Sequence, residues 1–241
     1  MSGAVNDLPC HLLLVAAGRG SRFGSVQPKQ YHTVAGLPLV AHTIARCHSQ
    51  PLIARIVPVV AGDGVELWYR HIEPHRWQWP KLADPVVGGA ERQDSVRLGL
   101  RQLELAADDW VAIHDGVRPL LSQALLDRLL QHRHLAEALI PALPAQDTVK
   151  QSHAATQPWI ATTLDRRTIW LAQTPQLFRY QLIQAAHERA HEAGFVATDD
   201  ASLIEWLGQP VRLIMGERRN IKVTEPDDLL LVDLLLQQTG G

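Results

Sequence analysis

Residues 11–17, His-Leu-Leu-Leu-Val-Ala-Ala, form an unbroken apolar run that stops at Gly18. A strand covered on both faces reads this way, because neither side of it needs polar residues. A loop rich in Gly and Arg follows. The spacing then predicts a helix over 39–48 behind Pro38, a β-branched strand over 56–61 closed by Gly62, and a helix over 65–72. The alternation continues with strands over 85–87, 110–113 and 138–142 and helices over 92–105 and 123–132. Strands alternating with helices predict a mostly parallel sheet with helices on both faces, and ligands at the carboxyl ends of its strands. Between 147 and 175 the rhythm breaks. Thr, Val, Trp and Ile alternate there with polar residues around a turn at 152–158, which predicts a projecting β-hairpin. A lone hairpin is marginally stable in water, so a partner surface is expected to cover it. Helices return over 181–193, 201–206 and 227–237, with a strand over 211–214.

Composition narrows the chemistry. The 241 residues carry 23 Lys plus Arg against 25 Asp plus Glu, a net charge of −2, so no global basic field exists to hold a nucleic acid or an anionic membrane. A polyanionic substrate must be met by local cations. No apolar stretch is long enough to span a membrane, and no charged n-region precedes residue 11, so a cytoplasmic location is expected. Cys10 and Cys47 are too few for a disulfide scaffold or a thiolate metal site.

The loop after the first strand is the richest motif: Ala16, Ala17, Gly18, Gly20, Arg22, Gly24, then Pro28 and Lys29. Small residues let backbone amides approach a phosphate or a base, and Arg22 and Lys29 add charge. Its glycine spacing misses the dinucleotide fingerprint by one residue, and the Gly-Lys-Ser/Thr ending of a P-loop is absent, which disfavours both classes. A solvated surface turn remains the plain alternative. Lysine occurs only at 29, 81, 150 and 222, which argues against Lys29 as solubilising filler. His114, Asp115 and Arg118 fall just past a buried strand; Asp115 can hold Mg²⁺ through one carboxylate, or merely tighten the turn before Gly116. Gly88, Gly89, Ala90 and Ser95 join a strand to a helix, as a base- or ribose-holding turn or an ordinary helix cap. His187-Glu-Arg-Ala-His191 matches a zinc-protease pattern, but no third ligand is suitably placed, and both imidazoles are expected on a solvated helix face.

Taken in order, Ala16-Ala17-Gly18-x-Gly20-x-Arg22, Pro28-Lys29-Gln30, Gly88-Gly89-x-x-Arg92-x-x-Ser95-Val96, His114-Asp115-x-x-Arg118-Pro119, Asp147-Thr148-Val149-Lys150, Asp165-Arg166, Gln173-Thr174-Pro175-Gln176, Thr198-Asp199-Asp200-Ala201-Ser202 and Asn220-Ile221-Lys222-Val223-Thr224 resemble the 2-C-methyl-D-erythritol 4-phosphate cytidylyltransferase family. The resemblance covers about residues 12–236. It implies a Rossmann-like three-layer α/β nucleotidyltransferase fold of the glycosyltransferase-A type, one domain over 1–241 with 147–175 as a dimerisation arm. It also implies Mg²⁺-dependent transfer of CMP from CTP to the sugar phosphate by a homodimer with exchanged arms. By the same resemblance Ala16, Ala17, Gly18, Gly20, Gly89, Ala90 and Ser95 bind CTP, Arg22 and Lys29 stabilise the transition state, and Asp115 holds the metal. Arg118, Thr148, Arg166, Thr174 and Thr198 line the acceptor pocket, with Arg166 and Lys222 positioning the attacking phosphate. Ala90 stands where some members have Asp, and Gly116-Val117 replaces the commoner Ala-Ala. The competing readings are a cytidylyltransferase for another polyol phosphate such as ribitol 5-phosphate, a catalytically silent nucleotide-binding dimer and, last, a zinc peptidase.

Overall fold

The computed structural model describes residues 9–18, 23–24 and 27–239. Its first strand, β1 (Cys10–Ala16), lies between two parallel neighbours, β4 (Ile53–Val60) and β6 (Trp110–Asp115). Successive side chains on a strand point to opposite faces. Leu12 and Leu14 therefore enter one apolar cluster with Val40, Ile44 and Leu129, while Leu13 and Val15 enter the other with Val96, Leu100 and Ile183. Both faces are covered, and this is why the run shows no polar alternation.

The first cluster is roofed by α1 (Leu39–His48), α2 (Val65–Ile72) and α4 (Gln123–Gln131); the second by α3 (Arg92–Arg101), α5 (Tyr180–Ala193) and α6 (Asp200–Trp206). The result is the three-layer α/β architecture. A Cβ on Gly99 of α3 would come within 2.6 Å of Leu13 Cδ1, so the glycine sets how closely that helix lies on the sheet.

Among the described residues the sheet has eight strands. β5 (Val86–Val87), β4, β1 and β6 run parallel, and β7 (Ala138–Pro144) and β12 (Arg212–Met215) continue the same direction. Between β6 and β7 sits one antiparallel strand, β11 (Gln176–Arg179), with β10 (Trp170–Ala172) beyond it on the same flank of β7. A two-stranded hairpin, β2 (Thr33–Val34) and β3 (Leu37–Pro38), packs under α7 (Pro226–Thr239) around Val34, Leu39, Val223 and Val232.

Three expectations change. The helix expected over 92–105 stops at Arg101, where the buried Tyr180 hydroxyl reaches the carbonyls of Leu100 and Leu103 at 3.1 and 2.6 Å. The projecting hairpin is β8 (Lys150–Ala154) and β9 (Gln157–Thr163), turning at residues 155–156. Trp170 is outside it, because Trp170–Ala172 pairs with Leu143 and its neighbours in the main sheet. Finally, His187 is 1% exposed, not solvated: Ile183, Ala186, His187 and Ala190 form one buried stripe of α5.

Candidate active site

The carboxyl ends of β1 and β6, with the loops after β4 and β5, enclose a cavity of about 490 Å³. Ala16, Ala17, Gly18, Lys29, Gly89, Ala90, Ser95, Asp115 and Lys222 all line it, as do Gln30, Arg92 and Thr224. A second cavity, about 570 Å³, is lined by Arg55 and Lys81 near the start of β4, away from these strand ends.

Local structure explains the placement. Pro28 leads into a short 3-10 turn, Lys29–Tyr31. The buried Gln30 amide donates to Ala16 O at 2.8 Å and Gly18 O at 3.1 Å, while Tyr31 Oη donates to Gly64 O at 3.3 Å. Lys29 is thereby fixed between the loop after β1 and the loop after β4. On the facing side Ser95 Oγ accepts the Gly89 N–H at 3.2 Å and donates to Glu91 O at 3.0 Å. A Cβ on Gly89 would lie 2.4 Å from Asp94 Cβ, so only glycine allows this backbone to fold onto α3. Ser95 therefore shapes the turn and does not cap the helix.

Asp115, 5% exposed, is the electrostatic centre. Its Oδ2 lies 2.9 Å from Lys222 Nζ and 3.6 Å from Arg118 Nε; its Oδ1 meets Arg92 Nε at 3.4 Å. Burial alone would raise its pKa, but Arg92, Lys222 and Arg118 outweigh burial and hold the carboxyl well below the usual carboxylate range. Lys222 arrives through a loop braced from below. Asn220 O accepts from Arg118 Nη1 at 2.7 Å, and Asn220 Nδ2 donates to Thr174 O at 2.8 Å.

Arg118 and Thr174 are buried behind Asp115 and are not among the lining residues. Thr174 Oγ1 accepts the Asp115 N–H at 3.1 Å and lies 2.9 Å from His114 Nδ1. Thr148, Arg166 and Thr198 are exposed and also lie outside the lining of their own chain's cavity; the Arg166 guanidinium donates to Gln146 O. Gly20 and Arg22 lie outside the described residues. Sequence reasoning assigned no role to Gln30 or Arg92, although both stand inside the motifs; only their long-range partners give them away.

Burial pushes the His114 pKa down to about 3. Below about pH 6.5 the unfolded imidazole binds a proton that the folded one refuses, so stability falls as pH falls, by up to about 1.4 kcal/mol per unit. Burial shifts His11 and His42 in the same direction. The urea midpoint is expected to drop between about pH 7 and pH 5. An unchanged midpoint would mean that these imidazoles titrate normally in the fold.

Small residues at the strand ends, with Lys29, Lys222 and Arg92 set around the buried Asp115, suit the handling of phosphates rather than peptides or hydrides. Joined to this three-layer sheet, they define a nucleotidyltransferase. The family model "IspD: 2-C-methyl-D-erythritol 4-phosphate cytidylyltransferase" matches residues 10–238. A relative of that name from Syntrophus aciditrophicus (strain SB) is 43% identical over 229 residues, 95% of this chain and 96% of its own. The crystal structure of the Francisella tularensis 2-C-methyl-D-erythritol 4-phosphate cytidylyltransferase has a TM-score of 0.79 at 30% identity, covering 94% of this chain and 99% of that one. That of the 4-diphosphocytidyl-2C-methyl-D-erythritol synthase from Anaerococcus prevotii DSM 20548 has a TM-score of 0.81 at 27% identity, covering 97% and 98%. The chain belongs to the 2-C-methyl-D-erythritol 4-phosphate cytidylyltransferase family.

Proposed function

We propose that the chain transfers CMP from CTP to 2-C-methyl-D-erythritol 4-phosphate, giving 4-diphosphocytidyl-2-C-methyl-D-erythritol and pyrophosphate in isoprenoid precursor synthesis. The observation that carries the reading is the convergence of Lys29, Lys222 and Asp115 on one cavity floored by Ala16–Gly18 and Gly89. An acceptor phosphate oxygen attacks the α-phosphorus of CTP, and the bond from that phosphorus to the α,β-bridging oxygen breaks, that oxygen leaving as a terminal oxygen of pyrophosphate. The phosphate is itself the nucleophile, so the task of the protein is to align two anions and to stabilise the charge that develops.

In this proposal the backbone of Ala16, Ala17, Gly18, Gly20, Gly89 and Ala90 and the Ser95 turn hold the cytidine. Arg22 and Lys29 face the triphosphate. Lys222 and Arg166 position the attacking phosphate, and Arg118, Thr148, Thr174 and Thr198 shape the acceptor side. The donor set fits a magnesium ion: Asp115 offers Oδ1, which meets Arg92 only at 3.4 Å, and substrate phosphates and water can complete an oxygen shell. Bound there, the ion would neutralise phosphate charge as a Lewis acid. Among the described residues no helix is long and apolar enough to cross a membrane, and we propose a cytoplasmic enzyme acting as one nucleotidyltransferase domain with its arm in a homodimer.

A pyrophosphate-release assay with CTP, ATP and a panel of polyol phosphates tests this reading. CTP with methylerythritol phosphate is expected to give the highest kcat/KM, because backbone groups of the two small-residue turns can match the N4 donor and the O2 and N3 acceptors of cytosine. Equal kcat/KM with ATP would overturn the nucleotide assignment, and equal kcat/KM with ribitol 5-phosphate the acceptor assignment.

A further inference from the structure

Behind Asp115 lies a second carboxylate. Asp200, 1% exposed, stands at the start of α6, where Asp199 caps the helix through Ser202 N at 3.0 Å and the Gln176 amide ties down Ala201 N and Asp199. Arg92 bridges the two carboxylates unequally. Its Nη2 donates to Asp200 Oδ2 at 2.7 Å, while its Nε reaches Asp115 Oδ1 at only 3.4 Å. On the far side of Asp200, His187 Nε2 lies 3.1 Å from Oδ1.

Resting on the proposed reaction, we propose that Asp200 is a positioning residue: it draws Arg92 toward itself and so keeps Asp115 Oδ1 available to the divalent cation. A charged hydrogen bond of 2.7 Å is strong, whereas one of 3.4 Å is near the limit of the interaction, so the guanidinium is committed to Asp200. With the Asp200 charge removed, Arg92 turns fully onto Asp115 and competes with the cation for the same oxygen. The cluster around Asp115 also loses one negative charge. Both effects oppose cation binding. His187 holds Oδ1 of Asp200, leaving Oδ2 to face Arg92, and so the first imidazole of the His-Glu-x-x-His match serves a carboxylate and not a metal.

The test compares wild type, Asp200→Asn and Asp200→Asn with Arg92→Gln. Mn²⁺ binding in the presence of CTP is read by electron paramagnetic resonance, and the Mg²⁺ dependence of pyrophosphate release is read separately. Partners behind a metal ligand typically alter affinity by about 10- to 100-fold, and a rise of that size in the Mn²⁺ Kd is expected for Asp200→Asn, with turnover recovered at saturating Mg²⁺. The double variant should return toward the wild-type Kd, because the competitor is gone. An unchanged Kd in Asp200→Asn, a double variant as weak as the single one, or no Mn²⁺ binding by wild type overturns the proposal. Should Asp200→Asn fail to fold, Arg92→Gln alone is expected to bind Mn²⁺ at least as tightly as wild type, and weaker binding overturns it. Mn²⁺ binding requires no turnover, so a failure of the assigned reaction with every acceptor is seen separately in the release assay.

Discussion

Lys29→Ala is expected to lower kcat by on the order of 10² to 10³ while raising the KM for CTP only several-fold, the usual signature of losing a charge aimed at the transition state. Lys29 lines the cavity, and its backbone is held through its neighbours: Gln30 to Ala16 and Gly18, Tyr31 to Gly64. The side chain can thus be removed without releasing the turn that carries it. During transfer, charge accumulates on the departing pyrophosphate, so a fixed ammonium gains most at that moment and little in the ground state. Steady-state pyrophosphate release checks this, with circular dichroism to show that the fold survives. Lys29→Arg should recover part of the rate, since it restores charge at a different reach. A loss confined to KM would instead make Lys29 an anchor for bound CTP.

Much of this site was legible because its residues cluster locally. The apolar run over 11–17 and the Gly-rich loop after it become β1 and the cavity rim, and His114-Asp115 falls at the end of β6 as parallel-sheet logic requires. What escaped was set by distant partners. β11 is four residues long, leads directly into α5 and is bounded by Gln176 and Arg179, so no run or alternation marks it; its place between β6 and β7 comes from pairing alone. Arg92 stands in a motif read as a turn, yet its two carboxylates are 23 and 108 residues away. The polar neighbours of His187 within its own helix predict a solvated face, whereas α6 and Asp200 bury it. Trp170 shared the alternation of the hairpin, and only the edge of β7 separates it from Trp159.

The hairpin leads to the second large effect. β8 and β9 pair only with each other in the described sheets, and Trp159 and Ile160 are 77% and 60% exposed. Thr148 and Arg166 at its base are exposed and lie outside the cavity lining of their own chain. A hairpin with two large apolar side chains in water needs a cover, and the proposed homodimer would offer one in a two-fold arrangement, with each arm reaching the partner's site. Every active site would then combine Lys29 from one subunit with Arg166 from the other. Lys29→Ala and Arg166→Ala homodimers should each be nearly inactive. After subunit exchange, half of the dimers are mixed, and each mixed dimer holds one site with both residues intact, so about one quarter of wild-type activity should return. Exchange is verified by tagging the two variants differently and isolating dimers that carry both tags. Tagged mixed dimers as inactive as either parent would show that Lys29 and Arg166 do not act across the interface.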